Sequence, residues 1–579
     1  MTYDLIIRGG EIVDGTGEGR FFGDVAVKDG IIVEVGKVSG AAKRELDADG
    51  SIVTPGFVDI HTHYDGQVSW DSVLAPSSIN GVTSAAMGNC GVGFAPAKPD
   101  KHAWLINLLE GVEDIPGTAL AEGLTWDWES FPDYLDALDR RQFTMDVGAH
   151  VPHAALRAFV MGERGADHTE RPSEDEISRM EGLTYEALMA GALGFTTSRT
   201  YVHKTRDGAN IGTLTAPEDE LVGIAGALRR SGRGVIQLIS DAYLTADDDF
   251  AHRELSLIRK LAATTGRKLS FTVQQADDSP DRWKHIFAEL DAMVADGLDV
   301  KGQVAPRPIG AIMSFAATTN PFFATRTYRR IAAEGDVAQR LVRLADPEVK
   351  AQILAEHAGR QLPALAAIMS RGFERMFRMQ DPVDYEPRPE ASLAAEAARA
   401  LRDPAEYAYD VFLEDGGRRL IYLPIVNYAR GDLEDVWGMM TGAHTLYGLS
   451  DGGAHCGTVC DATFPTTTIS LWSKGSKTGR KVPLETLVHG YTQRNARHVG
   501  WHDRGVVKTG YKADLNVIAL DEMSLSPPTI VHDLPAGGAR LLQTARGYRW
   551  TIKAGEPTFE NSEWTGATPG GLLRGDQPL

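Results

Sequence analysis

Cysteine is nearly absent from this chain: three residues, Cys90, Cys456 and Cys460, in 579. So few thiols in so long a sequence exclude a disulfide framework and fit a reducing compartment. Basic residues are also short, with Lys and Arg at 59 against 79 for Asp and Glu, a formal charge of -20. A phosphate backbone calls for clustered cations, so nucleic acid is excluded as a partner. No apolar run is long enough to span a bilayer. The opening Met1-Thr2-Tyr3-Asp4-Leu5-Ile6-Ile7-Arg8 lacks the basic and apolar regions of a secretory signal. The expectation is a cytoplasmic protein with no membrane partner.

What remains is ordinary globular material, 43% hydrophobic and 24% charged, too long for one core. Short strands with tight turns are predicted at Tyr3 to Arg8, Glu11 to Asp14, Asp24 to Lys28 and Ile31 to Val35. Gly9-Gly10, Gly15 and Asp29-Gly30 punctuate them. The far end repeats this texture at Ala513 to Ile518 and Gly547 to Ile552. One small sheet domain assembled from both chain ends accounts for this, as do two separate small domains. Between them, strands alternate with helices. The strands are Phe57 to Ile60, Thr83 to Met87, Asp146 to Ala149, Gly194 to Thr197, Gly234 to Ile239, Lys268 to Val273, Val300 to Val304, Arg419 to Ile425 and Thr445 to Leu449. Helices are predicted at Glu174 to Ala190, Pro217 to Arg230 and His252 to Thr264. Repeated strand–helix units make a parallel sheet, and their count favours an α/β class (β/α)8 TIM-like barrel. From Asn320 to Gly416 the pattern turns helical and charged, as in an insertion that shapes a pocket or makes an oligomer contact. The divisions are 1–56 and 500–579 for the terminal β-rich parts and 57–499 for the barrel, including insertion 320–416.

Reactive groups in a barrel gather at the carboxyl ends of its strands. The run Ile52 to Ile60 ends in His61-Thr62-His63, and alternation on a strand points both imidazoles to one side. Such a pair makes ready nitrogen ligands for a divalent metal. Gly88-Asn89-Cys90-Gly91 follows the second strand, and Ser450-Asp451-Gly452-Gly453-Ala454-His455 follows the last. Two imidazoles, a thiol and a carboxylate are the parts of a hydrolytic metal site. Weaker candidates are Arg199, whose fork would grip a substrate carboxylate, and His455, which would contact substrate or hold Asp451. His153 lies past the third strand. Cys456 and Cys460 read better as small buried hydrophobes than as the start of a zinc site.

These stretches, with Pro55-Gly56-Phe57-Val58-Asp59-Ile60-His61-Thr62-His63 foremost, resemble the amidohydrolase superfamily. Gly88-Asn89-Cys90-Gly91 points to its N-acyl-D-amino-acid deacylase (D-aminoacylase) branch. The resemblance runs end to end and also takes in His153 to Arg157, Gly191 to Phe195 and Lys512 to Asn516. It implies a metal-dependent barrel with a β-sandwich built from both termini, zinc as cofactor, a small-molecule substrate and a homo-oligomer. His61 and His63 match the paired ligands and Cys90 the branch's cysteine ligand. Asp451 matches the aspartate that binds metal or takes the proton of water. The departure lies at two middle strand ends, Val235 to Asp241 and Phe271 to Gln275, which lack the branch's two further histidines. Glutamine is a poor substitute ligand. Three accounts compete: one metal on His61, His63 and Asp451 with Cys90 or another group completing the shell, His203 replacing a lost ligand, or a vestigial site. The expected activity is hydrolysis of a C–N amide bond, deacylating an N-acyl (D-)amino acid with one zinc rather than two. Alternatives are opening of a cyclic amide, imide or lactone, and an inert barrel acting as a binding protein.

Overall fold

The computed structural model describes residues 2–334, 336–359, 362 and 364–579. Both ends of the chain meet in one nine-stranded mixed sheet, in which Leu515–Ile518 pairs antiparallel with Ile52–Pro55. Tyr3–Ile12 is one continuous strand. The turn expected at Gly9-Gly10 is instead an irregularity in its pairing with Phe21–Lys28, between Ile7 and Gly10. Two glycines there relax the ladder without reversing the chain.

The middle of the chain supplies nine parallel strand segments in two arcs. The first holds β1 (Phe57–Asp59), β2 (Val82–Met87) and β3 (Asp146–Ala149). The second holds β4 (Val151–Pro152), β5 (Gly194–Arg199), β6 (Val235–Ser240), β7 (Leu269–Thr272), β8 (Val300–Val304) and β9 (Thr445–Tyr447). Only His150 separates β3 from β4. On that side Leu193 N–H donates to Ala149 O at 2.8 Å. On the other, His63 N–H donates to Gly452 O at 2.8 Å and Asp451 N–H to His61 O at 3.2 Å. The arcs therefore touch at both edges. β2 is buried along its whole length, as strands covered on both faces must be, and such strands are near-continuous apolar runs.

Helices between the strands start and stop where local chemistry directs. Ser173 accepts from Glu176 N–H in a capping box that opens Glu174–Ala190, and Gly191 closes it at φ 111°. Asp247 caps Asp248–Thr265. One expected barrel strand, Arg419 to Ile425, departs from expectation. Ile421–Val426 does not join the parallel arcs but pairs antiparallel with Ile309–Met313. These strands and the helices between them enclose a separate apolar core around Phe315, Phe322, Tyr409 and Phe412. A short buried apolar run carries no mark of which sheet it will join, so the periodicity misled.

A buried charge network ties the terminal sheet to the parallel arcs. Lys553 Nζ donates to both oxygens of Asp514, at 3.0 and 2.9 Å, and to Asp146 at the start of β3. Arg504 donates to Asp146 and, at 3.0 Å, to Ser84 on β2. Burial opposes the Asp146 charge, but the Lys553 and Arg504 cations outweigh it and hold the carboxyl below its ordinary value. A carboxyl lowered in the folded state adds stability above about pH 4 that is lost as acid titrates it. We expect Asp146→Asn to cost about 3 kcal/mol in urea unfolding, because it takes from two buried cations the carboxylate they share and leaves Lys553 with Asp514 and Arg504 with Asp503. The variant's stability should also fall less steeply than the wild type's below pH 4. Equal midpoints and equal acid limbs would refute the network's role.

Candidate metal centre

His61 and His63 leave the end of β1 with their ring centres 5.6 Å apart. Asp59 Oδ1 accepts from His61 N–H at 3.1 Å, and the Ser450 hydroxyl donates to Asp59 Oδ2. Those bonds brace the strand end against the loop after β9. That loop turns through three left-handed non-glycine residues, Leu449 at φ 63°, Asp451 at φ 48° and His455 at φ 50°. Cys90, after β2, is left-handed too at φ 53°. Neighbouring Gly91 allows the close approach: a Cβ there would stand 2.7 Å from Thr197 Cα. Non-glycine residues in this region store strain that the surroundings must over-determine. Here the strain aims a thiol and a carboxylate at the same point.

The ligand atoms of His61, His63 and Cys90 all lie within 4.8 Å of one another. Cys90 Sγ is 3.2 Å from His61 Nε2. Asp451 Oδ1 is 3.3 Å from His61 Nε2 and 3.6 Å from His63 Nε2. Tetrahedral ligands at about 2.0–2.3 Å from zinc stand roughly 3.3–3.8 Å apart. The donor set therefore fits a divalent metal in both type and spacing. His61 also presents the right nitrogen, since its Nδ1 is engaged by Gln303 Oε1 at 2.6 Å while Gln303 Nε2 donates to Ser270 at 2.9 Å.

Electrostatics agree. Burial resists charge on His61, but the Cys90 thiolate and Asp451 outweigh it and push the imidazole up to about 9. Burial likewise resists charge on His63, yet Glu113, Asp451 and Cys90 raise it well above its ordinary value. Burial would raise Cys90 and Asp451, and the two imidazoles overcome it, holding both below their usual ranges. Anions this close to a buried pair of imidazoles make a locus that favours positive charge.

A cavity of about 330 Å³ opens on this cluster, lined also by His203, His455, Glu113, Ile239, Thr272, Gln274 and Leu449. Four expected residues, His61, His63, Cys90 and Asp451, are thus brought together with His203 and His455 beside them. Arg199 is not. Its Nε and Nη2 grip Glu254 at 2.8 and 2.7 Å, and its Nη1 donates to Ala216 O at 2.6 Å. The planar fork is spent inside the protein, so the expectation that it would hold a substrate carboxylate is withdrawn. His153 is likewise committed, to Thr197 at 2.8 Å and Glu220 at 3.0 Å. Cys456 and Cys460 are buried and unpaired, and burial pushes the Cys456 thiol up to about 12. At the middle strand ends β6 offers the cavity Ile239, and β7 offers Thr272 followed by Gln274; none is an imidazole. Gln237 does not face the metal donors as a ligand: its Oε1 accepts Cys90 N–H at 2.8 Å and so holds the left-handed cysteine.

Three neighbours escaped the sequence reading. Glu113, at the end of helix His102–Glu113, places Oε1 3.3 Å from His63 Nδ1. It sits in no motif, and only the tertiary fold brings it in. Gln237 and Gln303 had a signal, since both lie inside buried parallel strands, where polar residues in an apolar run are unusual.

The site has the composition of a metallohydrolase, and residues 44–559 match the amidohydrolase family. The chain belongs to that family. It is 26% identical to an uncharacterized protein of Mycobacterium tuberculosis over 562 residues, 90% of this chain and 85% of that one. It is 37% identical to the N-acyl-D-glutamate deacylase of Alcaligenes xylosoxydans xylosoxydans over 203 residues, 34% of this chain and 38% of the relative. A solved D-aminoacylase structure superposes with TM-score 0.65 at 24% identity, covering 99% of this chain and 100% of that one. That likeness shows the shared fold.

Orienting hydrogen bonds of this kind govern metal affinity. Gln303→Leu should weaken zinc binding about 10–100-fold in a chelator competition while leaving the melting temperature within a few degrees. Undiminished affinity would show that His61 needs no such partner.

Proposed function

We propose that this protein is a metal-dependent hydrolase that removes the acyl group from an N-acyl-D-amino acid. The observation that carries the reading is the convergence of His61, His63, Cys90 and Asp451 on one cavity. The local match to the N-acyl-D-glutamate deacylase supports the choice of amide. We propose further that the two arcs form one (β/α)8 barrel over 57–499 with insertion 320–416. In that reading 1–56 and 500–579 complete a β-sandwich. No helix among the described residues is long and apolar enough to cross a membrane, and three unpaired cysteines support a cytoplasmic setting.

His61, His63, Cys90 and Asp451 would hold one zinc ion, with His203 and His455 as further imidazoles on the cavity wall. A divalent metal supplies Lewis acidity, polarising a carbonyl and making water acidic enough to lose a proton near neutral pH. Asp451 receives that proton. With a metal bound, its positive charge would favour the ionised carboxylate, leaving the oxygen that does not face the imidazoles to accept the proton. It then passes the proton to the departing nitrogen, because an amine leaves poorly as an anion. Ile239 and Leu449 exclude water from one side of the cavity. His455, held through its backbone N–H by Glu113 O, closes another.

Asp451→Asn should lower turnover of N-acetyl-D-amino acids by on the order of 10²–10⁴-fold with the fold intact by circular dichroism. Chelation should abolish activity and zinc should restore it. Turnover of cyclic amides with linear N-acyl amino acids left intact would replace this reading with a cyclic-amide hydrolase. A zinc-loaded protein that binds but cleaves neither would make it a binding module.

A further inference from the structure

Helix His102–Glu113 ends on Asp114, whose backbone is left-handed at φ 51°. Its carboxylate reaches across to the turn that follows His455. Asp114 Oδ2 accepts from Gly457 N–H at 3.2 Å and from the Thr458 hydroxyl at 3.0 Å. The preceding carbonyl, Glu113 O, accepts His455 N–H. Two adjacent residues at one helix end thus hold His455, Gly457 and Thr458 together. The turn requires this support. His455 and Asp451 share one loop and are both left-handed, a conformation that non-glycine residues keep only where their surroundings over-determine it. Thr458 N–H and Val459 N–H return to His455 O at 2.9 and 3.1 Å, so the turn and His455 move as one unit. On its other side Ile312 N–H donates to Thr458 O at 2.7 Å, a fixed backing against which Asp114 pulls. Contact is close: a Cβ on Gly457 would stand 3.1 Å from Asp114 Oδ2 and 2.3 Å from Thr318 Oγ1.

Resting on the deacylase reading above, we infer that Asp114 is a positioning residue: it holds the Gly457–Thr458 turn and, through it, keeps His455 on the wall of the metal cavity. His455 lines that cavity and Asp114 does not, so Asp114 acts only through the turn. The imidazole it steadies is the one that meets substrate there. No motif marks Asp114 in the sequence, because its partners lie more than 340 residues away.

The test is a double-mutant cycle on the zinc-loaded full chain, using the best substrate in a panel of N-acetyl-D-amino acids. Asp114→Ala and His455→Ala should each lower kcat/KM by about 10–100-fold, the scale of a small misplacement. The double variant should fall no further than the weaker single one, because two residues serving one contact do not add. Asp114→Asn keeps an acceptor oxygen and should restore most of the loss, with zinc content unchanged throughout. Losses that multiply in the double variant, or an Asp114→Ala protein as active as wild type, would overturn the assignment. Where Asp114→Ala does not fold, Thr458→Val takes its place in the cycle under the same criteria. If no amide is cleaved, the deacylase reading fails by itself, and hydrogen–deuterium exchange judges Asp114. Exchange over 455–459 should then be about tenfold faster in Asp114→Ala, with distant segments unchanged; equal exchange would refute the hold on the turn.

Discussion

Everything in this protein's site depends on four donors forced together out of water: two imidazoles, a thiol and a carboxylate, with their nearest atoms 3.2–3.6 Å apart. Burial opposes the charged form of each, and their mutual proximity, joined at His63 by Glu113, reverses that. Such an arrangement is costly without a cation to satisfy it, and a metal is the simplest cation with the required number of contacts. The rest of the molecule can be understood as the means of holding that cluster in place.

Three kinds of support do this. Strand ends fix the direction of each donor, and the arcs join where the His61–His63 strand end meets the Asp451 loop. Left-handed backbone at Cys90 and Asp451 turns their side chains inward. Amide side chains on the parallel strands then lock the result, Gln303 on the ring of His61 and Gln237 on the backbone of Cys90. At the other end of β3, the Asp146–Lys553–Arg504 network clamps the terminal sheet. The amidohydrolase family match, residues 44–559, takes in the arcs together with Ile52–Pro55 and Leu515–Ile518 of the terminal sheet.

Much of this was legible in the residues. His61 and His63 declared themselves by alternation on a strand, and Cys90 and Asp451 by their place after apolar runs that had to be strands. The helix Glu174–Ala190 was bounded by its own capping residues. Other features were not legible, for physical reasons. Glu113 reaches the site from a helix with no spacing relation to His63, so only folding could reveal it. Arg199 stood at a plausible strand end, yet its guanidinium found Glu254 on a neighbouring helix, a partner 55 residues away in sequence. Ile421–Val426 had the composition of a barrel strand and went to a different sheet. The middle strand ends lack histidine, and Gln237, marked in the sequence only as a polar residue in an apolar run, holds the backbone of Cys90 in the structure.

The most direct measurement of the central claim is X-ray absorption at the zinc edge on the zinc-loaded protein. The account predicts one zinc per chain, with a sulfur scatterer at about 2.3 Å and nitrogen or oxygen scatterers near 2.0–2.1 Å, and loss of the sulfur shell in Cys90→Ser. A shell of nitrogen and oxygen alone, or a protein that retains no metal, would contradict it.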